Sequence, residues 1–393
     1  MLNEKMIGLG KKSSVIREIF EYGNKRRAQI GAENVFDFSL GNPSIPAPKA
    51  VTDTIGELIR TKDPLELHGY TSAPGDMGVR AAIAEDLNVR FGAVASAAHI
   101  YMTCGAAASL TITLKALVNE GEEVVLLAPF FPEYVVFAEN AGAAVRIVPA
   151  AEDFQIDFDA LADALNEKTK AVIVNSPNNP SGVVLREETL HRLAELLKER
   201  SARYGTDIYI ISDEPYRELV YGGVKVPYIP AIYEDTVICY SFSKSMSLPG
   251  ERIGYIFVPP MAKDAPDLFA AVCGAGRALG FVCAPSLLQY TVKACLGQTA
   301  DLSIYEGNRD LFYDALTEYG YSVARPDGAF YLFVKSPEPD ANAFCQRAKE
   351  YEILMVPGDS FGCEGYVRIS YCVDPETVRR ALPSFKKLIG EYR

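Results

Sequence analysis

The sequence is short of positive charge and contains no apolar run long enough to cross a membrane. Lys and Arg number 39 against 51 Asp and Glu, which gives a formal net charge of -12 over 393 residues. Proteins that bind nucleic acids rely largely on cationic contacts with phosphate groups, so this balance argues against that function. The most apolar stretch, 271–288, is interrupted by Arg277 and Pro285 before it reaches the roughly 20 apolar residues of a membrane-spanning helix. We therefore expect neither a nucleic acid nor a membrane as partner.

Histidines and paired cysteines are also scarce. His68, His99 and His191 are far apart and form no HExxH pair, and the eight cysteines form no CxxC motif. These spacings predict that the protein has no metal site and that its thiols are reduced. The first 14 residues contain lysines but no apolar core followed by a small-residue cleavage site, so we expect a cytoplasmic protein rather than an exported one.

The remaining sequence predicts two regions of different architecture. Residues 11–35 carry apolar positions at helical spacing, and 36–40 reads as a short strand. Two amphipathic helices are predicted over 49–60 and 76–91. From about residue 100, short β-branched runs alternate with helix-like stretches, which predicts an α/β fold with a mainly parallel sheet. The predicted strands are 124–127, 145–148, 171–175, 208–212, 237–240 and 253–258.

The pattern changes after about residue 290. A long helical stretch is followed by a strand over 329–334, a helix over 340–351 and a strand over 366–370, which predicts a smaller α+β domain. In mainly parallel sheets, ligands bind beyond the carboxyl ends of the strands. Motifs directly after strands are therefore the first candidates for a site.

The most informative motif begins directly after the predicted strand 237–240. It reads Ser-Phe-Ser-Lys-Ser-Met-Ser-Leu-Pro-Gly-Glu-Arg-Ile-Gly-Tyr and contains Ser241, Ser243, Lys244 and Arg252. An isolated lysine would usually be a solvated surface residue. Here the lysine amine, which can form an imine, lies next to hydroxyl and guanidinium groups that can donate to a phosphate. This combination suits a single anionic cofactor that carries both a carbonyl and a phosphate group.

This motif resembles that of the class I/II aminotransferases, which are aspartate aminotransferase-like enzymes of fold type I that use pyridoxal 5'-phosphate (PLP). The resemblance covers the chain from about Gly41 to Ser370. It implies a large α/β domain with a mainly parallel seven-stranded sheet over 46–289, and a smaller α+β domain formed by 1–45 and 290–393. It also implies that Lys244 forms the Schiff base with PLP, and that the cofactor phosphate is bound by Ser241, Ser243 and Arg252.

Four further residues take cofactor roles through the same resemblance. Asp213, in Ser-Asp-Glu-Pro-Tyr, corresponds to the carboxylate that pairs with the pyridine nitrogen and keeps the ring an electron acceptor; by itself it would read as a helix N-cap. Tyr216 and Asn179 correspond to the residues that contact the ring hydroxyl. Phe131 corresponds to the aromatic residue that stacks on the ring, with Phe130 as the expected core residue beside it.

The phosphate turn, the substrate carboxylate and the partner subunit account for the other predicted positions. Small residues before a helix can bring backbone N–H groups to an anion, and the family's phosphate turn corresponds here to Gly105, Ala106 and Ala107. Arg368 corresponds to the arginine that binds the substrate α-carboxylate, although an arginine there could also form a strand-edge salt bridge. The resemblance also implies that Gly41 lies beside that carboxylate and that Asn179 contacts the substrate as well as the cofactor. Tyr70 corresponds to the tyrosine that reaches the phosphate of the partner subunit, which implies a homodimer with shared sites.

The departures from the family pattern concern the substrate. Some members that act on acidic substrates carry a lysine where this chain has Ala107, and others use an arginine of the partner subunit near the spacing of Arg277. Ile16 and Arg17 are candidates for lining the site from the N-terminal segment. The donor amino acid therefore stays open at this point.

The resemblance implies a transaminase that moves an amino group from an L-amino acid to a 2-oxo acid. The alternative is a PLP-dependent β-eliminating C–S lyase that acts on cystathionine or cysteine, because fold does not determine the reaction. A PLP-binding transcription regulator is a third reading. It would need a DNA-binding extension, for which the segment before Gly41 is too short, with only Lys25, Arg26 and Arg27 as a basic cluster.

Overall fold

The strands form three sheets in a computed structural model that describes residues 2–11 and 15–393. In chain order they are β1 (Phe36–Asp37), β2 (Ile100–Thr103), β3 (Glu123–Leu127), β4 (Ala144–Val148), β5 (Thr169–Asn175), β6 (Tyr209–Asp213), β7 (Thr236–Ser241), β8 (Gly254–Phe257), β9 (Ser322–Val323), β10 (Tyr331–Lys335), β11 (Ile353–Leu354), β12 (Val356–Pro357) and β13 (Tyr366–Ser370).

Helices pack around these sheets. They are α1 (Glu4–Lys11), α2 (Val15–Ile30), α3 (Lys49–Thr61), α4 (Pro64–His68), α5 (Met77–Phe91), α6 (Ala106–Leu117), α7 (Glu133–Ala141), α8 (Phe158–Ala164), α9 (Glu187–Tyr204), α10 (Ile229–Ile232), α11 (Phe242–Ser245), α12 (Ala265–Ala278), α13 (Ser286–Ala294), α14 (Ser303–Glu318), α15 (Ala341–Lys349) and α16 (Pro375–Gly390).

The largest sheet has seven strands in the order β2-β8-β7-β6-β5-β3-β4. The five strands β3 to β7 all pair with their neighbours among these five in parallel. The strand β8 is antiparallel to both of its neighbours, β2 and β7. Every residue of β6 and β7 is buried, as expected when helices cover both faces of a parallel sheet. This arrangement confirms the mainly parallel seven-stranded α/β sheet.

The sequence pattern located six of these seven strands. It did not identify β2, a short segment Ile-Tyr-Met-Thr in which only the two end residues are β-branched. The predicted strand over 36–40 is limited to β1, which pairs in parallel with β11. The helix predicted within 11–35 corresponds to α2, and its positions 12–14 lie outside the described residues.

The C-terminal part contains a four-stranded antiparallel sheet in the order β12-β13-β10-β9. Phe38, from the N-terminal segment, packs edge-on against Phe312 of α14 at a centroid distance of 5.1 Å and also contacts Phe385 of α16. These contacts support the proposed pairing of 1–45 with 290–393 as one domain, and the division from 46–289 remains a proposal. Among the described residues, none of the helices combines the length and apolar character needed to cross a membrane.

Candidate active site

Three neighbouring parallel strands end at the same edge of the large sheet. The last residues of β5 and β6, Asn175 and Asp213, are register partners, and β7 ends beside them at Ser241. The sequence placed Asp213 directly after the predicted strand 208–212, whereas in the structure Asp213 is the last residue of β6. The carboxyl edge of a parallel sheet is where ligands bind, so this edge is the natural place for a site.

A cavity of about 320 Å³ opens at this edge. It brings together residues that are far apart in sequence, from the N-terminal segment, the large sheet and β13. The predicted site residues in its wall are Gly41, Ala106, Ala107, Phe131, Asn179, Asp213, Tyr216, Ser241, Ser243, Lys244, Arg252 and Arg368. Of the other predicted residues, Gly105 directly precedes Ala106 in the chain but is not part of the wall, and Tyr70 lies on the surface and is 98% exposed.

Lys244 lies on α11, the short helix that follows β7. Ser241 caps this helix, because its hydroxyl accepts a hydrogen bond from the backbone N–H of Ser243 at 3.2 Å. The amine of Lys244 donates to the backbone carbonyl of Gly41 at 2.7 Å, and no carboxylate of the described chain forms an ion pair with it. Burial lowers its pKa to about 8, and the positive charges of Arg368 and Arg252 act in the same direction. About a tenth of the amine is therefore in the neutral, nucleophilic form at pH 7, far more than for an ordinary lysine.

Asp213 is buried and only half satisfied by hydrogen bonds. The hydroxyl of Tyr134 donates to its Oδ2 at 2.5 Å, and Asn175 donates to its backbone carbonyl at 2.9 Å. Its Oδ1 has no hydrogen-bond partner within the part of the chain that the structure describes. Burial raises the pKa of Asp213 to about 7. A buried acceptor without a donor is costly, so Oδ1 is a position where a ligand N–H would be stabilised.

Arg368 is a buried cation without a counter-ion. It is 2% exposed, and its guanidinium lies over the rings of Tyr331 and Phe361 at 4.7 and 4.9 Å. It donates to Asn179 Oδ1 at 3.1 Å and to the carbonyl of Ser39 at 2.5 Å. None of the ion pairs found between described residues involves Arg368, and its Nε has no acceptor there. The strand-edge salt bridge considered from the sequence is therefore not formed, and the guanidinium is available to an anion from the cavity.

An anion cradle lies at the other end of the cavity. Gly105 adopts a φ of 88°, a backbone conformation that favours glycine, and the guanidinium of Arg252 lies close enough that a Cβ built on Gly105 would be 2.9 Å from its Nη2. Directly after it, α6 begins at Ala106. The hydroxyls of Ser241 and Ser243 lie 2.7 Å apart, and Arg252 reaches Ser243 at 3.5 Å. Hydroxyls, a guanidinium and a helix N-terminus together suit a phosphate group.

Comparison with known proteins assigns this arrangement to a family. Residues 33–385 match the family model described as aminotransferase class I and II. The chain belongs to the class I and II aminotransferases. It is an aminotransferase, and the enzymes of its family depend on PLP.

Similar proteins agree with this assignment. The crystal structure of an aminotransferase from Eubacterium rectale is 56% identical, covers 100% of this chain and 99% of that chain, and has a TM-score of 0.99. The aspartate aminotransferase of Thermus thermophilus, determined with maleate, is 26% identical, with 99% of each chain covered and a TM-score of 0.87. The probable aspartate aminotransferase of Methanocaldococcus jannaschii is 30% identical over 386 residues, which are 96% of this chain and 97% of that protein.

Aromatic residues complete the wall of the aminotransferase cavity. Phe131 is partly exposed to the cavity, whereas Phe130 is buried in the core at 4% exposure. The hydroxyls of Tyr216 and Tyr331 are 2.9 Å apart. Burial, together with this neighbouring hydroxyl, raises the pKa of Tyr216 well above its usual value. Tyr216 therefore stays protonated and can act as a hydrogen-bond donor.

Several residues of the aminotransferase cavity were not predicted from the sequence. Tyr134 follows Phe131 within the same Pro-Phe-Phe-Pro-Glu-Tyr segment, and Asn175 ends a strand, so both positions carried a usable signal. Tyr331 carried none, because it lies within the apolar strand β10. Leu110, Pro215 and Pro249 also line the wall.

Of the three further candidates for lining the site, Ile16, Arg17 and Arg277, one lies in the wall of the cavity. Ile16 lines the cavity, whereas Arg17 forms an ion pair with Glu21 at 3.6 Å. Arg277 lies near the end of α12 with an exposed side chain.

Proposed function

We propose that this cavity binds PLP and that the enzyme moves an amino group from an L-amino acid to a 2-oxo acid through a Schiff base on Lys244. The observation that carries the proposal is the amine of Lys244. It lies in the cavity without a carboxylate partner in the described chain, between the carboxylate of Asp213, the buried cation of Arg368 and the cradle at Arg252. The names of the similar proteins support an amino acid and a 2-oxo acid as substrates.

The residues present fit PLP at each of its polar groups. The unpartnered Oδ1 of Asp213 suits the protonated pyridine nitrogen, and the cradle at Gly105 and Arg252 suits the phosphate. Asn179 and Tyr216 have polar atoms in the wall for the ring hydroxyl, and Phe131 offers a ring face to the pyridine. When bound, PLP supplies a carbonyl that forms an imine with an amine, and a protonated ring that accepts electrons from the substrate Cα.

The protein then binds and orients the substrate and moves one proton. Arg368 binds the α-carboxylate, which places the substrate Cα next to Nζ of Lys244. Because the pKa of Lys244 is lowered to about 8, its neutral amine would take the α-proton from the substrate Cα and, as the ammonium, would give it to the carbon of the former PLP carbonyl. Asp213, buried and held by Tyr134, keeps the ring nitrogen protonated. Ser241, Ser243 and Arg252 keep the phosphate end fixed.

We also propose a homodimer in which Tyr70 reaches the site of the partner subunit. Tyr70 is 98% exposed, and Val282 is exposed as well. Val282 is next to Cys283, whose thiol donates to the carbonyl of Thr71 at 3.2 Å. Neighbouring exposed apolar side chains are typical of association surfaces. Sedimentation of the purified protein tests the proposal, since a single species of 42.9 kDa at micromolar concentration contradicts it.

The decisive test of function is a single turnover with the purified, PLP-loaded protein. On addition of one amino acid, the absorbance of bound PLP should convert to that of pyridoxamine phosphate, with release of one 2-oxo acid. Aspartate, aromatic and aliphatic donors are compared, since similar proteins are named as aspartate and aromatic-amino-acid aminotransferases. If the cofactor absorbance persists while pyruvate and a thiol are released from cystathionine, the C–S lyase reading replaces this proposal.

The lowered pKa of Lys244 predicts how cofactor loading depends on pH. The neutral amine attacks the PLP carbonyl, so the rate of imine formation by the apoprotein should rise with pH and reach half of its maximum near pH 8. Stopped-flow absorbance after mixing apoprotein with PLP over a pH series measures this rate, with Nα-acetyl-lysine as the control amine. A midpoint at the ordinary lysine value of 10.5 contradicts the argument.

A further inference from the structure

We propose that Tyr134 is a positioning residue for Asp213. Its hydroxyl occupies Oδ2 of the carboxylate and thereby leaves Oδ1 for the ring nitrogen of the cofactor. The inference rests on the proposed function, because it assumes that the cavity binds PLP.

Hydrogen bonds hold Oδ2 and the backbone carbonyl of Asp213 and leave Oδ1 without a partner in the described chain. Tyr134 lies in the first turn of α7, is 1% exposed, and packs edge-on against Phe131 at a centroid distance of 5.6 Å. Its hydroxyl lies 2.5 Å from Oδ2 of Asp213. On the other side, Asn175 donates to the Asp213 carbonyl and accepts from the backbone N–H of Asn179 at 2.8 Å. Rotation of the carboxylate would break the Tyr134 contact, so Oδ1 has a defined position at the cavity.

The same hydrogen bond stabilises the anionic form of Asp213. The titratable groups that act on Asp213 are Tyr134 from α7, Cys239 from β7, and Glu214 and Tyr216 next to it in the chain. Glu214 raises the pKa of Asp213 through its negative charge, although it is itself paired with Arg217 at 2.5 Å. The hydrogen bond from Tyr134 lowers that pKa against the larger effect of burial.

Tyr134 remains a donor over the whole working range of pH. Burial, together with the charge of Asp213, raises the pKa of its phenol well above the usual value. Loss of the hydroxyl therefore leaves Oδ2 without its donor and raises the pKa of Asp213 further. A neutral carboxylic acid cannot be the counter-ion of a protonated pyridine, so cofactor binding should weaken.

The test is the affinity of apoprotein for PLP in the variant Tyr134→Phe, measured by titration over a pH series. We expect affinity to fall by roughly tenfold at neutral pH, the size of a hydrogen bond to a charged group. The pH below which affinity declines should also move upward. Tyr233→Phe is the matched control, because Tyr233 is equally buried and loses a hydrogen bond of 2.6 Å to the carbonyl of Ile208 away from the site. It should leave both quantities unchanged.

A double-mutant cycle separates positioning from packing. In an Asp213→Asn background, Tyr134→Phe should weaken PLP binding by less than about twofold, since a neutral amide leaves no charge for the phenol to stabilise. An equal loss in both backgrounds, or an unchanged pH midpoint in Tyr134→Phe, overturns the inference. A wild-type protein that does not bind PLP instead overturns the proposed function, so the two failures are distinguishable.

Discussion

Lys244→Ala should reduce transamination by at least about 10⁴-fold, the largest effect that we expect from a single substitution. The proposed mechanism uses Lys244 twice, as the amine that forms the imine and as the base at the substrate Cα, and a general base alone contributes about 10² to 10⁴ in rate. The expected result is loss of turnover together with loss of the imine absorbance. Both are measured with the purified variant at saturating PLP.

The fold should tolerate this change, which makes the result interpretable. Lys244 donates one hydrogen bond to the Gly41 carbonyl and forms no ion pair among the described residues, so its removal leaves no buried carboxylate without a partner. Lys263→Ala is a control, because the side chain of Lys263 is 55% exposed and pairs with Asp207 on the surface. The transamination activity of this variant should stay at the wild-type level. Normal transamination by Lys244→Ala means that another residue carries the chemistry.

The parts of the site that lie next to strands were predictable from the sequence. Asp213 and Lys244 follow apolar β-branched runs, and the parallel alternation of strands and helices places such positions at one edge of the sheet. The family resemblance then attached a role to each residue. The short strand β2 was not predicted, because it has only four residues and only its two end residues are β-branched. Nothing in its periodicity distinguishes it from a loop.

Contacts between distant segments could not be predicted in the same way. Tyr331 meets Gly41 so closely that a Cβ on Gly41 would lie 2.0 Å from the Tyr331 hydroxyl, yet the two positions are far apart in the chain. Tyr134 shares a segment with Phe131, but only the fold shows that its hydroxyl reaches Asp213. Hydrogen bonds of this kind depend on how the sheet and helices pack, which periodicity does not encode.

Arg368→Leu should lower kcat/KM for an amino acid by roughly 10³-fold. Removing one partner of a buried, hydrogen-bonded charge pair costs about 2 to 5 kcal/mol. Arg368 is buried at the cavity, and its Nε has no acceptor among the described residues, so it can form such a pair with the substrate carboxylate. For the corresponding primary amine, which lacks the α-carboxylate, kcat/KM should fall by less than about tenfold, because this substrate forms no ion pair with Arg368. The measurement is therefore the ratio of kcat/KM for the amino acid and for its decarboxylated amine, in wild type and variant.

Two further variants separate carboxylate binding from general damage. Arg368→Lys keeps the charge but loses the planar fork, so its kcat/KM should fall between those of the wild type and Arg368→Leu. Arg309→Leu is the matched control, since Arg309 is also buried and lies over a tyrosine ring, that of Tyr221, at 4.6 Å. Its loss should reduce stability but leave the ratio of amino acid to amine unchanged. If Arg368→Leu lowers kcat/KM equally for both substrates, Arg368 does not bind the α-carboxylate, and its unpaired charge must serve another anion.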